Sequence, residues 1–315
     1  MGAIVEPAVT TPIDQPSALP LRAVLMMVAS ASLFGVMVIL IRYVSRDVHP
    51  FQIAFFRSFF GALAAAPLLL CGGVRMLRTD RLGFYVWRCG IGTLSMLAAF
   101  WAVVHLPLAQ AVALSYSSPL FVTIGAVLFL GEVVRMRRWS AVIAGFLGVL
   151  IIVRPGSDAF EIGSVVALAG AAFAGAVTIS IKFLSRSDPV DTIVLLTTWL
   201  WVPLTLPAAL LVWQWPAATW WPWLVVIGVL GTAGQYTWTH ALRLSEASSL
   251  APFSYLQLVI VALLAWLAFA EIPDRYTVLG SLVVVGSSLY IMRREASLAR
   301  RQRKQALAAA AEPDL

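Results

Sequence analysis

The sequence predicts an all-α integral membrane protein with ten transmembrane helices, arranged as two inverted five-helix repeats. Three observations support this prediction: the composition, the number of apolar runs, and a match between the two halves of the chain. Of the 315 residues, 61% are hydrophobic and only 12% are charged. A soluble domain usually carries about 25% charged residues. A soluble core could not hide so much apolar surface, so lipid is predicted to cover part of it.

The apolar runs have the length needed to cross a bilayer. A hydrocarbon core about 30 Å thick requires roughly 20 residues of helix. Short segments with turn chemistry separate the runs, as in the Arg-Pro-Gly at 154–156. The ten predicted spans are 22–42, 50–70, 83–104, 108–130, 138–154, 161–182, 190–212, 221–243, 248–270 and 275–293.

The basic residues predict how the spans are oriented. With a cytoplasmic N-terminus, sixteen Lys and Arg residues fall in cytoplasmic segments, four fall on the opposite side, and two lie within spans. This bias satisfies the positive-inside rule, so both termini are predicted to be cytoplasmic. We therefore interpret the net charge of +7 as a sign of topology, and no nucleic-acid partner is expected.

These features divide the chain into four segments. Residues 1–20 are rich in Pro, contain no Lys or Arg, and are predicted to be a disordered cytoplasmic tail. The first repeat is predicted over residues 21–156 and the second over residues 157–293. Residues 294–315 are predicted to form a basic cytoplasmic tail that lies on the anionic headgroups of the lipid bilayer.

The repeat is visible as two alignments of the chain with itself. Ala29–Arg46 matches Ala169–Arg186 at an offset of 140, with seven of eighteen positions identical and the endings IRYVSR and IKFLSR. Ala102–Glu132 matches Ala241–Glu271 at an offset of 139, including a Ser-Tyr pair and the final Glu. The offset contains five helices, an odd number, so the second copy is predicted to enter the membrane from the other side. Such inverted repeats recur in secondary transporters.

Several stretches resemble a known family. They are the FFR of the second span, LAQAVALSYSSPLFVTIGAVLFLGE, GVLIIVRPG, and SEASSLAPFSYLQLVIVALLAWLAFAE. Over residues 22–293 the chain resembles EamA-type members of the drug/metabolite transporter superfamily. The resemblance implies a ten-helix exporter or importer of small organic solutes in a bacterial inner membrane. Members of that superfamily are associated with amino acids, riboflavin, S-adenosylmethionine, metallophores and toxic cations.

Polar residues inside spans are costly, so they are the first candidates for substrate contact. In the fourth and ninth spans the candidates are Ser115, Tyr116 and Ser118, with the repeat counterparts Ser254, Tyr255 and Gln257. Ser115 and Ser118 are three residues apart, so they share a face of a continuous helix. Each set is predicted to lie about 10 Å from its own membrane surface. The two sets therefore bracket the bilayer midplane, where transporters with inverted repeats bind substrate.

Pro119 predicts a break in the fourth span. Proline has no N–H, so it releases the carbonyl four residues earlier, which belongs to Ser115. A free acceptor beside two hydroxyls would suit a cavity. The alternative is a structural kink in which the Ser115 or Ser118 hydroxyl bonds the backbone.

Arg57 is the most unusual single residue, because it lies seven residues past Pro50 within the second span. All fifteen Asp and Glu residues fall in loops, tails or helix ends. Arg57 is therefore predicted to face the protein interior, with helix-end carbonyls, Glu271 or an anionic substrate group as alternative partners. Arg88, near the end of the third span, is predicted to reach toward the headgroups.

Three further candidates complete the predicted site. Gln235 and His240 lie on the eighth span, and Trp101 is the repeat counterpart of His240. Trp101 could stack on a planar substrate or pack structurally, and His240 could relay protons or make a structural hydrogen bond. Without a carboxylate deep in a span, uniport, exchange, and coupling through the charge of the substrate all remain open.

The predicted function is alternating-access transport of a small organic metabolite or drug-like solute. No catalytic residue, metal ligand set or cofactor site is predicted, since HExxH, GxSxG and metal-type spacings are missing and the only cysteines are Cys71 and Cys89. The alternatives are a membrane-embedded enzyme, a non-transporting assembly or sensor protein, and a channel. The inverted repeats favour a carrier over a channel.

Overall fold

The computed structural model describes most of the chain between residues 21 and 290. The described residues are 21–72, 79, 81–130, 136–155, 161–184, 190–244, 250, 253–290, 293 and 297. The predicted tail at 1–20 lies outside them, as does the predicted basic tail apart from residue 297. Within the described residues every regular element is helical, which confirms the all-α prediction.

Six helices are present in the described residues of the first half. They are α1 (Leu21–Val44), α2 (Pro50–Gly72), α3 (Leu82–His105), α4 (Leu108–Ser115), α5 (Ser118–Leu130) and α6 (Met136–Val153). The described residues of the second half include α7 (Ile162–Leu184), α8 (Val190–Leu210), α9 (Trp221–Leu244), α10 (Leu256–Phe269) and α11 at 275–290, and residues 250, 253 and 254 before α10 are also helical. A 3₁₀ turn at Ala218–Trp220 precedes α9.

Several of these helices are long and apolar enough to cross a membrane. In the described residues five segments meet both criteria, and two apolar helices are shorter. The five are Leu21–Val44, Leu82–His105, Leu108–Gly125, Ile162–Ser180 and Thr192–Leu210, and the shorter two are Trp139–Val153 and Leu256–Phe269. Many of their large apolar side chains, such as Leu94 and Leu267, face outward from the protein, as a lipid-facing surface requires.

Two contacts between the halves use equivalent positions of the two repeats. The Ser30 hydroxyl on α1 donates to the carbonyl of Gly234 on α9 at 2.9 Å. The Ser95 hydroxyl on α3 donates to the carbonyl of Gly170 on α7 at 2.8 Å. Ser30 and Gly170 are 140 residues apart, and Ser95 and Gly234 are 139 apart, as the repeat predicts. The pairs α1–α9 and α3–α7 are thus equivalent contacts, and they form the most extensive helix packing in the described structure.

The crossing of α6 and α11 depends on two glycines that bring the backbones together. A Cβ atom on Gly280 would lie 2.7 Å from the carbonyl oxygen of Gly148 and 2.5 Å from Ile152 Cγ1. Small residues allow such close approach between membrane helices, where packing drives association.

We expect Gly280→Ala to destabilise the protein by about 1–3 kcal/mol, because the clash with a backbone oxygen forces the two helices apart. The measurement is the thermal unfolding midpoint in detergent. Gly286→Ala on the same helix is the matched control, since a Cβ there meets no atom within 4 Å. Equal midpoints for the two variants would contradict this account of the crossing.

Candidate functional site: a cavity between the halves

A cavity of about 530 Å³ lies between helices from both halves. Its volume falls within the range of about 300–1,000 Å³ that is typical of sites for small organic molecules. Most of its wall is apolar and aromatic. The polar and charged side chains on its wall are Ser30, Arg57, Arg88, Ser95, Tyr116, Thr178, Thr197, Thr198, Gln235, Thr239, Ser254 and Gln257.

The cavity extends to one end of the bundle, here called the Ile193 end. Ile193 lines the cavity and is the fourth residue of α8, so it lies within about 5 Å of the start of that helix. Met27, near the start of α1, and Thr239, near the end of α9, line the same region. The cavity therefore approaches the surface where α1 and α8 begin.

The opposite end, here called the Arg42 end, is closed by polar contacts between the halves. Arg42 at the end of α1 forms an ion pair with Glu271 at 3.1 Å. Arg42 also donates to the carbonyls of Val103, Val104 and Leu106 at the end of α3. A cation is stabilised there by the negative end of the helix dipole.

Glu271 extends this closure to α4. Its second carboxylate oxygen accepts a hydrogen bond of 2.9 Å from the backbone N–H of Leu108, the first residue of α4. The carboxylate thus satisfies a free N–H at a positive helix terminus. Glu271 and Arg42 together tie the ends of α1, α3, α4 and α10 into one closed surface.

Arg57 lies on the cavity wall, and its main neighbour is aromatic. Its guanidinium carbon is 5.2 Å from the centre of the Trp201 ring, and one terminal nitrogen is 3.2 Å from the sulfur of Met96. Such a cation–π contact is strongest where water is excluded. The suggested pairing of Arg57 with Glu271 is wrong, because Glu271 binds Arg42 instead.

Arg88 also lies on the cavity wall, and the prediction that it reaches the headgroups is wrong. The residue is only 5% exposed. It donates to the hydroxyl of Thr197 on α8 at 2.6 Å. Hydropathy placed Arg88 near a helix end, but the packing of α3 against α8 decides that the side chain turns inward.

The fourth span is broken at Tyr116 and Ser117, between α4 and α5. Pro119 is the second residue of α5, where a helix lacks an acceptor for its N–H in any case. The Ser115 hydroxyl bonds the carbonyl of Ala111 at 3.0 Å, and its residue is exposed. Neither Ser115 nor Ser118 is among the described residues of the cavity wall. Their predicted common face assumed a continuous helix, which the break removes.

Tyr116 is the one of the three fourth-span candidates that lies on the described cavity wall. It lines the cavity, and its hydroxyl donates to the carbonyl of Ser254 at 2.7 Å. Its ring lies 4.6 Å from the ring of Tyr255, its repeat counterpart. Tyr255 itself is buried and not among the described wall residues. The two tyrosines thus meet between the halves, and only Tyr116 reaches the cavity.

Ser254, Gln257 and Gln235 line the cavity, whereas Trp101 and His240 do not. Trp101 stacks on His105 at 3.8 Å and lines a separate pocket of about 700 Å³ at the Arg42 end. The His240 ring lies 4.1 Å from the ring of Tyr236 on the same helix. Within the described residues, no three His, Cys, Asp or Glu side chains are grouped so as to hold a metal ion.

Sequence reasoning missed two features in and next to the cavity wall. Trp201 was absent from the candidates because an indole in a span reads as ordinary apolar packing. Gly92 and Gly231, which are 139 residues apart, also escaped notice. A Cβ on Gly92 would lie 3.2 Å from the Trp201 indole nitrogen, and one on Gly231 would lie 2.9 Å from Arg57 Nε. These equivalent glycines make room for the stacked pair, and their spacing was the available signal.

Comparison with known proteins agrees with this architecture. A riboflavin transporter of Brucella anthropi is 33% identical over 79% of this chain and 89% of its own length. An S-adenosylmethionine uptake transporter of Rickettsia felis is 29% identical over 81% of this chain and 86% of its own length. A solved crystal structure shares the fold with a TM-score of 0.60, at 22% identity over 86% of this chain and 98% of the other.

Both halves of the chain match one family description. Residues 21–154 and residues 161–293 each match the EamA-like transporter family, in agreement with the resemblance seen in the sequence. The two matches together span most of the chain. The protein therefore belongs to the EamA-like transporter family.

Proposed function

We propose that this chain is a ten-helix carrier that moves a small organic solute by alternating access. Membership of a transporter family, with transporters as relatives, makes it a secondary transporter of small solutes in a bacterial membrane and not an enzyme. The observation that supports alternating access is the 530 Å³ cavity between the halves, which approaches the surface at the Ile193 end and is separated from the Arg42 end by the Arg42–Glu271 network.

The proposal includes the orientation in the inner membrane. The excess of basic residues supports cytoplasmic termini and a cytoplasmic Ile193 end. The structure then represents an inward-facing state. The proposed organisation also includes two repeats, at residues 21–156 and 157–293. The basic C-terminal tail is proposed to lie on anionic lipid. A fluorescent protein that folds only in the cytoplasm, fused after residue 315, tests the orientation, and a dark fusion would contradict it.

The two relatives suggest two different solutes for the proposed carrier. Riboflavin is a neutral planar ring system, whereas S-adenosylmethionine carries a sulfonium cation. Ser254, Gln257, Gln235, Tyr116 and Arg57 are the sequence candidates that are in a position to contact either of them. For Ser115, Ser118, Tyr255, Trp101 and His240 we propose structural roles, because the described cavity wall does not include them.

Counterflow in proteoliposomes tests the function directly. Vesicles loaded with unlabelled solute are expected to accumulate the labelled form transiently, because a carrier exchanges solutes across the membrane. Protein-free vesicles provide the baseline. A flux that rises linearly with concentration without saturation would support a channel instead.

A further inference from the structure

Three buried N–H donors around the cavity have no hydrogen-bond partner in the described structure. They are Nε of Arg57, Nε of Arg88 and the indole Nε1 of Trp201. All three residues line the same cavity. A buried donor without a partner costs roughly the full desolvation of that group. These three atoms have almost no accessible surface, so they show that the polar groups of this wall are poorly compensated, and they are not themselves contact points for a solute.

The charge of the wall has only one sign. Two guanidiniums line the cavity, and none of its described wall residues is Asp or Glu. Arg57 and Arg88 have no ion pair in the described part of the chain. A solute that carries negative charge or many acceptors would compensate these groups, whereas a cation would meet like charges in a poorly hydrated space.

The remaining polar groups offer few additional donors. The hydroxyls of Thr178, Thr197 and Thr198 each donate to the carbonyl four residues earlier on their own helix. The Ser30 and Ser95 hydroxyls donate to backbone carbonyls across the helix interface. These hydroxyls are thus committed to the scaffold, and the remaining donors on the wall include the guanidiniums of Arg57 and Arg88 and the side-chain amides of Gln235 and Gln257.

The shape of the wall suits a flat ring. Trp201 and Arg57 already stack at 5.2 Å, and the aromatic rings of Phe34, Phe100 and Trp238 line other parts of the cavity. Planar guanidiniums stack on aromatic faces while their edges donate hydrogen bonds in one plane. Such a wall can stack aromatic side chains on the faces of a planar solute and donate hydrogen bonds to acceptors on the edge of the solute.

We propose that the cavity takes a planar aromatic solute rich in hydrogen-bond acceptors, neutral or anionic, and rejects organic cations. This inference rests on the proposed transport function and gives the class of its solute. Arg57 and Trp201 bind the ring, and Arg88 binds acceptors nearer the Ile193 end.

The test compares four solutes in proteoliposomes at equal concentration. Riboflavin is the neutral planar probe and flavin mononucleotide the anionic one; S-adenosylmethionine and tetraethylammonium are the cations. We expect at least one flavin to move at least ~10-fold faster than either cation, since like-charge contacts are strongly disfavoured. Arg88→Gln is expected to lower flavin flux and to reduce the ratio of flavin flux to cation flux. Arg81→Gln, an exposed residue before α3, is the matched control for loss of one positive charge.

Binding is measured separately by quenching of tryptophan fluorescence, with Trp201→Phe to identify the signal from the cavity. If a cation were transported faster than both flavins, the proposed solute class would be wrong, but the proposed transport function would be supported. Flavin binding without any flux would uphold the class and overturn the transport function. Absence of both flavin binding and flavin flux in folded protein would overturn the inference.

Discussion

Replacing Arg57 by leucine is expected to lower solute flux at least ~10-fold while leaving the thermal unfolding midpoint unchanged or raising it. The flux falls because the variant removes a cation that contacts Trp201 at the cavity wall. A desolvated cation–π contact contributes about 2 kcal/mol, which corresponds to roughly 30-fold in binding. A planar solute that inserts beside the pair would lose an interaction of similar size.

The thermal stability of Arg57→Leu is expected to stay unchanged or to rise, whereas its flux falls. An arginine within the membrane costs about 2.5–3.5 kcal/mol. In the described residues Arg57 has no carboxylate partner to offset that cost, and its Nε is buried without an acceptor. Leucine is shorter than arginine but carries no charge, so it removes the penalty. Residues that serve function often lower the stability of the folded protein, and Arg57 is expected to be one of them.

Two variants separate the charge from the geometry. Arg57→Lys keeps the charge but loses the planar stack, so flux should remain well below that of the native protein. Gly231→Ala keeps Arg57 but displaces it, because the new Cβ would lie 2.9 Å from Nε. Native flux in Arg57→Leu, or a large fall in its unfolding midpoint, would show that Arg57 is a structural residue.

Replacing Glu271 by glutamine is expected to open the Arg42 end more often. The change removes the charge that pairs with Arg42 at 3.1 Å and weakens the bond to the N–H of Leu108. Hydrogen bonds to charged groups contribute about 1.5–3 kcal/mol. Both side chains are 25% exposed, so we expect about 1–2 kcal/mol after allowing for screening. The open population should rise by roughly 5- to 30-fold.

A cysteine introduced at Phe100 reports this opening. Phe100 lines the cavity five residues before the end of α3, and it is 6% exposed. In a background without Cys71 and Cys89, a membrane-impermeant thiol reagent added from the periplasmic side should label Phe100→Cys faster when Glu271→Gln is present. Asp274→Asn is the matched control. Asp274 pairs with Arg154 at 2.8 Å near the start of α11, away from the cavity. Equal labelling with and without Glu271→Gln would refute the closure.

The repeat also suggests a variant that should have the reverse effect on labelling. Glu132 is the sequence counterpart of Glu271, and Lys182 is the counterpart of Arg42. Glu132 lies outside the described residues, so this expectation comes from the sequence. If the halves exchange roles, Glu132→Gln should decrease labelling of Phe100→Cys from the periplasmic side. An increase in both variants would argue against exchanged roles.

Much of the fold follows from patterns that are local in the chain. Hydrophobic length predicts helices, because lipid leaves the backbone no other partners. Helices such as α1 and α3 start and end within a few residues of the predicted runs, whereas the predicted runs at 108–130 and 248–270 are interrupted at Tyr116 and Tyr255. The offset of about 140 residues predicts which contacts recur, and the Ser30–Gly234 and Ser95–Gly170 hydrogen bonds follow it.

The site could be predicted only in part. Arg57, Tyr116, Ser254, Gln257 and Gln235 lie on the cavity wall, and their contact with solute stays a prediction. Ser115 and Ser118 do not, because the angle between them depends on a helix that ends at Ser115. Arg88 was expected at the headgroups, and the hydroxyl of Thr197 holds it inside. These outcomes depend on neighbours that are distant in sequence.

The sequence by itself therefore determined the family, the helical class, the repeat and the presence of a costly arginine inside a span. Composition, period and charge suffice for these features because each depends on the solvent around the chain and on residues nearby. Only the tertiary structure decided that Glu271 closes one end with Arg42, that Arg88 turns inward, and that Trp201 stacks on Arg57. Each of these contacts joins residues more than 100 positions apart, so its existence depends on how the helices pack.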